Sequence, residues 1–143
     1  MKKVFIALAF FTLQLMSAQE ADIKKTIETF FTGFNSTDVA KVKSVCSDKL
    51  ILQSVEVHTV GNKFTEETAE RFFSWLTEAG KKGKFEEKVK EYKIQTDGHI
   101  ANVWAPYEFY YNGEFSHSGV DSFSLIKTKE GWKILYLIDT RMP

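Results

Sequence analysis

The sequence predicts an α+β fold in which three helices of the N-terminal half pack on one face of an antiparallel sheet, in the order α-α-β-α-β-β-β-β. Two observations carry this. Apolar residues recur at helical spacing in the first half of the chain, and from Ile100 to Arg141 three runs of β-branched and aromatic residues are cut by Asn112-Gly113 and Lys129-Glu130-Gly131. A third observation keeps it to one domain: the chain has 143 residues, without a repeat, a low-complexity stretch or an interdomain linker.

The first segment reads as a processing signal. Lys2-Lys3 precede the almost wholly apolar run Val4–Met16, and Ser17-Ala18 offer small residues for cleavage after Ala18. That run is shorter than the roughly 20 residues a membrane-spanning helix needs, so no anchor is expected once it is removed. The domain proper is then 19–143, and the expected location is periplasmic or extracellular. Loss of Lys2 and Lys3 leaves 17 basic against 19 acidic residues, a net charge of −2. This balance, with no clustered basic face, excludes nucleic acid as the main partner. Cys46 stands alone among apolar neighbours and reads as a buried small hydrophobe on a helix.

Along the chain, Ile23, Ile27, Phe30, Phe31 and Phe34 fall on one helical stripe over 20–34. Asp38 is placed to cap a short second helix over 39–46. Leu50–Val60 forms the first strand, turned at Gly61-Asn62. Thr65 is expected to cap a third helix with the stripe Ala69, Phe72, Phe73, Leu76 and Ala79, ended by Gly80. Phe85–Thr96 is a long charged strand whose apolar residues change parity, which predicts a bulge between Val89 and Tyr92. Asp97-Gly98 turns the chain into the final three strands.

An ideal two-residue loop at Asn112-Gly113 places Glu108 opposite His117, Tyr110 opposite Phe115 and Trp104 opposite Asp121. One face would then carry Trp104, Glu108, Tyr110, His117, Asp121 and Phe123. It is aromatic with acids and a histidine, the composition of a ligand-binding wall. The opposite face, with Ala101, Val103, Ala105, Tyr107, Phe109, Ser118, Val120, Ser122 and Ser124, suits a convex or dimerising surface. Two ideal hairpins in succession would make Ala101 bond both neighbours through the same peptide groups. The conflict predicts a bulge at the Asp97-Gly98 turn or near Pro106, which has no N–H to give.

Glu108 beside His117 would form a proton-transfer pair or a base with its orienting partner, and Asp121 would add a second acid; these three are the candidate catalytic residues. Trp104, Tyr110 and Phe123 are the candidate ligand-stacking rings. Asp139 and Arg141 close the last strand, either as an edge ion pair or as ligand contacts at the pocket mouth. His58, His99 and His117 lie on separate strands without metal-ligand spacing, so no metal and no cofactor is expected.

The run Gly119-Val120-Asp121-Ser122-Phe123-Ser124-Leu125, followed by Gly131-Trp132-Lys133-Ile134, resembles a signature of SnoaL-like members of the nuclear-transport-factor-2-like superfamily. Phe30-Phe31-x-Gly33-Phe34-Asn35-x-x-Asp38 is similar to the opening of many members. The resemblance spans residues 20–141 and implies a cone-shaped α+β barrel closed by the helices. The superfamily contains isomerases, cyclases, dehydratases, epoxide hydrolases and non-enzymatic binders, so the fold leaves the activity open. Asp139 occupies the place of an acidic residue of epoxide-hydrolase-like members, whose Arg-x-Asp pair has no counterpart in Trp104–Glu108. The expected function is an exported binder of a small apolar or aromatic molecule. A cofactor-free acid–base enzyme and a dimeric interaction module are the alternatives.

Overall fold

A computed structural model describes the backbone of residues 2–143 and the side chains of residues 17–143. The leader expected at 1–18 therefore falls almost wholly outside the described side chains. Ten elements follow one another: α1 Lys2–Asn35, α2 Val39–Val45, β1 Cys46–Glu56, β2 Lys63–Glu67, α3 Ala69–Lys82, β3 Phe85–Val89, β4 Lys93–Thr96, β5 Ile100–Tyr111, β6 Glu114–Thr128 and β7 Gly131–Arg141.

All five stripe residues of α1, from Ile23 to Phe34, are buried against the sheet. Phe123 of β6 receives Phe30 and Phe31 edge-on, with ring centroids 5.6 and 5.8 Å away. The helix ends where Thr37 turns left-handed (φ 54°) and the Asp38 amide returns to the Gly33 carbonyl at 2.8 Å. Asp38 then caps α2 by accepting from the Lys41 amide at 3.0 Å. Replacing Asp38 with Ala should cost about 1 kcal/mol, read from the denaturation midpoint. Asn35 does a different job: its side-chain amide pairs with both backbone groups of Glu87, at 2.8 and 3.0 Å. That double bond ties α1 to the outermost strand and sets where Glu87 points.

The strands form one curved, unclosed sheet in the order β2-β1-β7-β6-β5-β3, with β4 also on β5. Pairing is antiparallel except between β1 and β7, which run parallel. The sheet is thus mixed, not wholly antiparallel, and β7 is an interior strand instead of an edge. The break expected near Tyr92 is present: β3 and β4 are separate strands that pair successive lengths of β5.

Three boundaries differ from the sequence reading. Lys63–Glu67 is a strand, and the third helix is capped by Thr68, which accepts from the Arg71 amide at 3.3 Å, not by Thr65. Thr65-Glu66-Glu67 mimics a helix start locally, but pairing with β1 satisfies its backbone instead. Helix α3 runs through Gly80, where a Cβ would lie 2.6 Å from the Thr37 hydroxyl, so glycine there permits close approach and not termination. Cys46 sits at the α2–β1 junction, half-buried, and burial pushes its thiol up to about 12.

Candidate functional site

Two one-residue bulges decide which side chains face inward. Asn112 (φ 50°) and Gly113 (φ 85°) form the expected tight turn, and Tyr110 does face Phe115. Beyond that, Ser116 is an extra residue on β6, so Phe109 pairs with His117 and Glu108 with Ser118. The expected Glu108–His117 and Trp104–Asp121 pairings are therefore not formed. The hydrogen-bonding conflict is relieved at the Asp97-Gly98 turn, where Gly98 takes φ 94° and Thr96 faces Ala101 instead of His99. A second bulge at Leu135, between the Ser124–Tyr136 and Leu125–Ile134 pairs, shifts the far half of β7. It turns Leu137, Asp139 and Arg141 inward and sets Asp139 directly opposite Asp121.

The inner face consequently carries Tyr107 and Phe109 of β5, which the sequence reading put outside, together with His117, Asp121 and Phe123 of β6. Trp104, Glu108 and Tyr110 lie on the outer face. There the Glu108 carboxylate meets the Lys90 ammonium at 2.6 Å and accepts from the Tyr110 hydroxyl at 2.8 Å. The Lys90 hydrogen bond holds this carboxyl below its ordinary range. Phe123, fully buried, packs in the core between Phe30 and Phe31 and does not line the cavity.

The inner face encloses a cavity of about 380 Å³ between the sheet, α1 and α3. Its walls are Phe30, Phe34, Phe72, Trp75, Phe109 and Leu52. Its floor is polar, made by Glu87, Tyr107, His117, Asp121 and Asp139, with Arg141, half exposed, at its border. Trp75, half exposed, stands where the cavity opens and stacks on Phe85 at 5.6 Å. A larger cleft of about 1030 Å³ lies between α2, α3 and the β6–β7 turn, but it is shallow and open, and neither of the buried polar atoms left without a partner lines it.

On the floor, Asp139 is held on both oxygens: Ser54 bonds Oδ1 and the Arg141 Nε donates to Oδ2 at 2.8 Å. Arg141 also donates to Ser54 Oγ at 3.2 Å, closing a three-residue ring. The Tyr107 hydroxyl donates to the Thr140 carbonyl at 2.8 Å, and burial raises its pKa. His117 stacks on Phe109 at 4.8 Å, and burial with Arg141 nearby holds its pKa below the usual value, so it is neutral at pH 7.

Asp121 is the exception. It is 3% exposed, its Oδ2 receives no protein N–H or hydroxyl donor, and its carboxyl lies within hydrogen-bonding reach of the Glu87 carboxyl. Burial raises its pKa well above the ordinary value, and the Glu87 and Asp139 carboxyls add to the rise. Burial likewise pushes Glu87 up to about 7. Two carboxyls that cannot both ionise cheaply hold one proton between them, so the pair presents a donor and acceptors together. Such a pair in an aromatic cavity can bind an N–H group or pass a proton to a bound molecule. Among the described residues no group of His, Cys, Asp or Glu is arranged to hold a metal ion.

Of the expected site residues, the structure gathers His117, Asp121, Asp139 and Arg141 in one cavity and leaves Glu108, Trp104, Tyr110 and Phe123 out of it. Glu87 and Tyr107 are additions, and Asn35 holds the Glu87 backbone from outside the cavity. Glu87 had a sequence signal: it shares parity with Phe85 and Val89, two apolar residues of a strand otherwise read as charged surface.

Comparison with known proteins agrees with this architecture. The family model described as "Putative lumazine-binding" matches residues 18–136. The chain belongs to that family. Solved structures give the fold. A nuclear-transport-factor-2-like protein of Shewanella baltica OS155 is similar at 17% identity and a TM-score of 0.66, over 89% of this chain and 96% of that one. A superfamily protein of Salmonella enterica serovar Typhimurium matches at 15% identity and 0.69, over 90% and 94%. A protein of Novosphingobium aromaticivorans described as "Putative Scytalone Dehydratase" matches at 8% identity and 0.71, over 92% and 89%. No curated protein matches the chain. This member of the lumazine-binding-type family therefore has the nuclear-transport-factor-2-like α+β cone, as its Gly119–Leu125 and Phe30–Asp38 motifs implied.

Proposed function

We propose that this family member is an exported binding protein that takes one small planar aromatic molecule in the cavity between α1, α3 and the sheet. The observation that carries the reading is the Glu87–Asp121 carboxyl pair on the floor of a cavity walled by aromatic rings. A ligand N–H can supply the donor that this pair does not receive from the protein. The family description points the same way, since a lumazine is a flat bicycle with polar edges. Export is supported by Lys2-Lys3 and the apolar run behind them, and by the family match beginning at residue 18.

Trp75 offers the readout. A ring seated against Phe34, Phe72 and Phe109 should quench its fluorescence saturably, and Trp75→Phe should remove that signal while the outer Trp104 and buried Trp132 stay unchanged. Titration with lumazine and related bicyclic heteroaromatics should give saturable quenching, and Leu137→Trp, which fills the cavity, should abolish it. Quenching that survives Leu137→Trp would place the ligand elsewhere and end this reading.

A further inference from the structure

The cavity lining is unbalanced in charge and in hydrogen-bonding sense. Five carboxylates border it, Glu66, Glu67, Glu87, Asp121 and Asp139, against one permanent cation, Arg141. Arg141 is already committed to Asp139 and Ser54. At the mouth, Glu67 has Arg71 at 3.1 Å and Glu66 accepts from Gln53 at 3.0 Å. The Glu87–Asp121 pair has no cation of its own. The groups that face Asp121 are Glu87 from β3, Tyr107 from β5, His117 from β6, and Asp139 and Arg141 from β7. Helices α1 and α3 bring only aromatic rings to the cavity. Donors are few here as well: the Tyr107 hydroxyl is spent on the Thr140 carbonyl, Ser54 on Asp139 and Thr65 on the Ser54 carbonyl, which leaves the His117 ring N–H and the proton of the carboxyl pair.

We propose that the ligand of this cavity is a cation, an aromatic ring carrying an amidinium, guanidinium or ammonium group whose N–H bonds reach the Glu87–Asp121 carboxyl pair. This rests on the reading of the cavity as a ligand site and names the chemical class it takes. The cation supplies both of the missing things, a positive charge and N–H donors for the carboxyl pair. The aromatic walls favour it further, because ring faces attract cations. Binding exchanges one positive charge for another: the ligand cation enters, and the proton shared by Glu87 and Asp121 leaves to solvent. A neutral ring with an N–H and carbonyl edge would behave oppositely, since it would use that proton and need it kept.

Three size-matched probes separate these cases: naphthalene-2-carboxamidine, 2-naphthamide and 2-naphthoate, titrated calorimetrically into the purified chain at pH 6 and pH 8. At pH 8 the amidine should bind at least ~10-fold tighter than the amide, and the naphthoate more weakly than either. Amidine affinity should rise about tenfold from pH 6 to pH 8, as the Glu87 carboxyl, raised to about 7, ionises. Heats measured in two buffers of different ionisation enthalpy should show release approaching one proton per amidine at pH 6. In Asp121→Asn the amidine preference and its pH dependence should disappear while the amide still binds, and Glu87→Gln should likewise flatten the pH profile. An amide that binds as tightly as the amidine, or amidine affinity that falls as pH rises, overturns the cation and leaves the ligand cavity standing. Binding of none of the three overturns both.

Discussion

At pH 8 the Asp121→Asn variant should unfold about 5–10 °C above the parent chain, and the difference should shrink steadily as pH falls towards about 4. The sign follows from proton counting. Asp121 and Glu87 have raised pKa values in the folded state, so between about pH 4 and pH 7 the folded chain holds protons that the unfolded chain has lost. Stability contributed by the pair therefore falls as pH rises through that window, the reverse of an ordinary paired carboxylate. Carrying Glu87 from 4.5 to about 7 shows the scale of such a burial penalty, about 3 kcal/mol at most, which water in the cavity lowers to about 2 kcal/mol. Burial raises Asp121 for the same reason, and an amide at position 121 cannot ionise, which removes the Asp121 share while still donating to Glu87. The depressed His117 contributes an opposite slope below its ordinary range, but it is present in both chains and cancels in the difference. Thermal melts of parent and variant at pH 5, 6, 7 and 8 measure this. A variant less stable than its parent at pH 8 would mean that Asp121 is paired, with no penalty to relieve.

A stabilising substitution at the most buried acid of the cavity is what a binding site leads one to expect. Groups kept for a ligand are left short of partners in its absence, and that shortage lowers stability. The Asp139–Arg141–Ser54 ring shows the contrast on the same floor: every oxygen of Asp139 is spoken for, and that carboxylate serves as fixed structure beside the pair.

The parts of this site that were legible in the sequence are those with a short-range cause. The stripe from Ile23 to Phe34 reports its own burial, because helical spacing needs no knowledge of a partner. The Asn112-Gly113 turn reports its own geometry, because few residues accept two successive positive φ angles. What was not legible is parity carried through a bulge. Ser116 and Leu135 are ordinary strand residues, with neither glycine nor proline to mark them, yet each inverts every side chain on one side of it. The inversion at Ser116 moved Glu108 and Trp104 outward and Tyr107 and Phe109 inward. The inversion at Leu135 brought Asp139 and Arg141 in. Their place on an interior strand depends on parallel pairing between Leu52 and Leu137, a contact across most of the domain that no local pattern records. Glu87 was hidden for another reason: its neighbours Glu86 and Lys88 are exposed, so the strand reads as solvated surface unless each face is read separately.

Gly119→Ala should destabilise the chain by at least about 3 kcal/mol and abolish cavity binding with it. The backbone of Gly119 is not in a conformation reserved for glycine; what forbids a side chain is the strand lying over it. A Cβ there would fall on the Thr140 carbonyl oxygen, well inside van der Waals contact, and within 3.0 Å of the Tyr107 ring. On either side the two strands are pinned together. Ser118 and Met142 exchange backbone hydrogen bonds at 2.9 and 2.8 Å, and the Val120 amide donates to Thr140 Oγ1 at 3.0 Å. Neither strand can retreat without breaking these, and the carbonyl under threat is the one that receives the Tyr107 hydroxyl. Displacing Thr140 also displaces Asp139 and Arg141 on either side of it, so the cost reaches the cavity floor through the backbone. Urea denaturation measures the stability loss, and Trp75 quenching, taken where the variant is still folded, measures the site. A loss below about 1 kcal/mol would show that the end of β7 can shift freely over β6, and the inward placement of Asp139 would then have no backbone to enforce it.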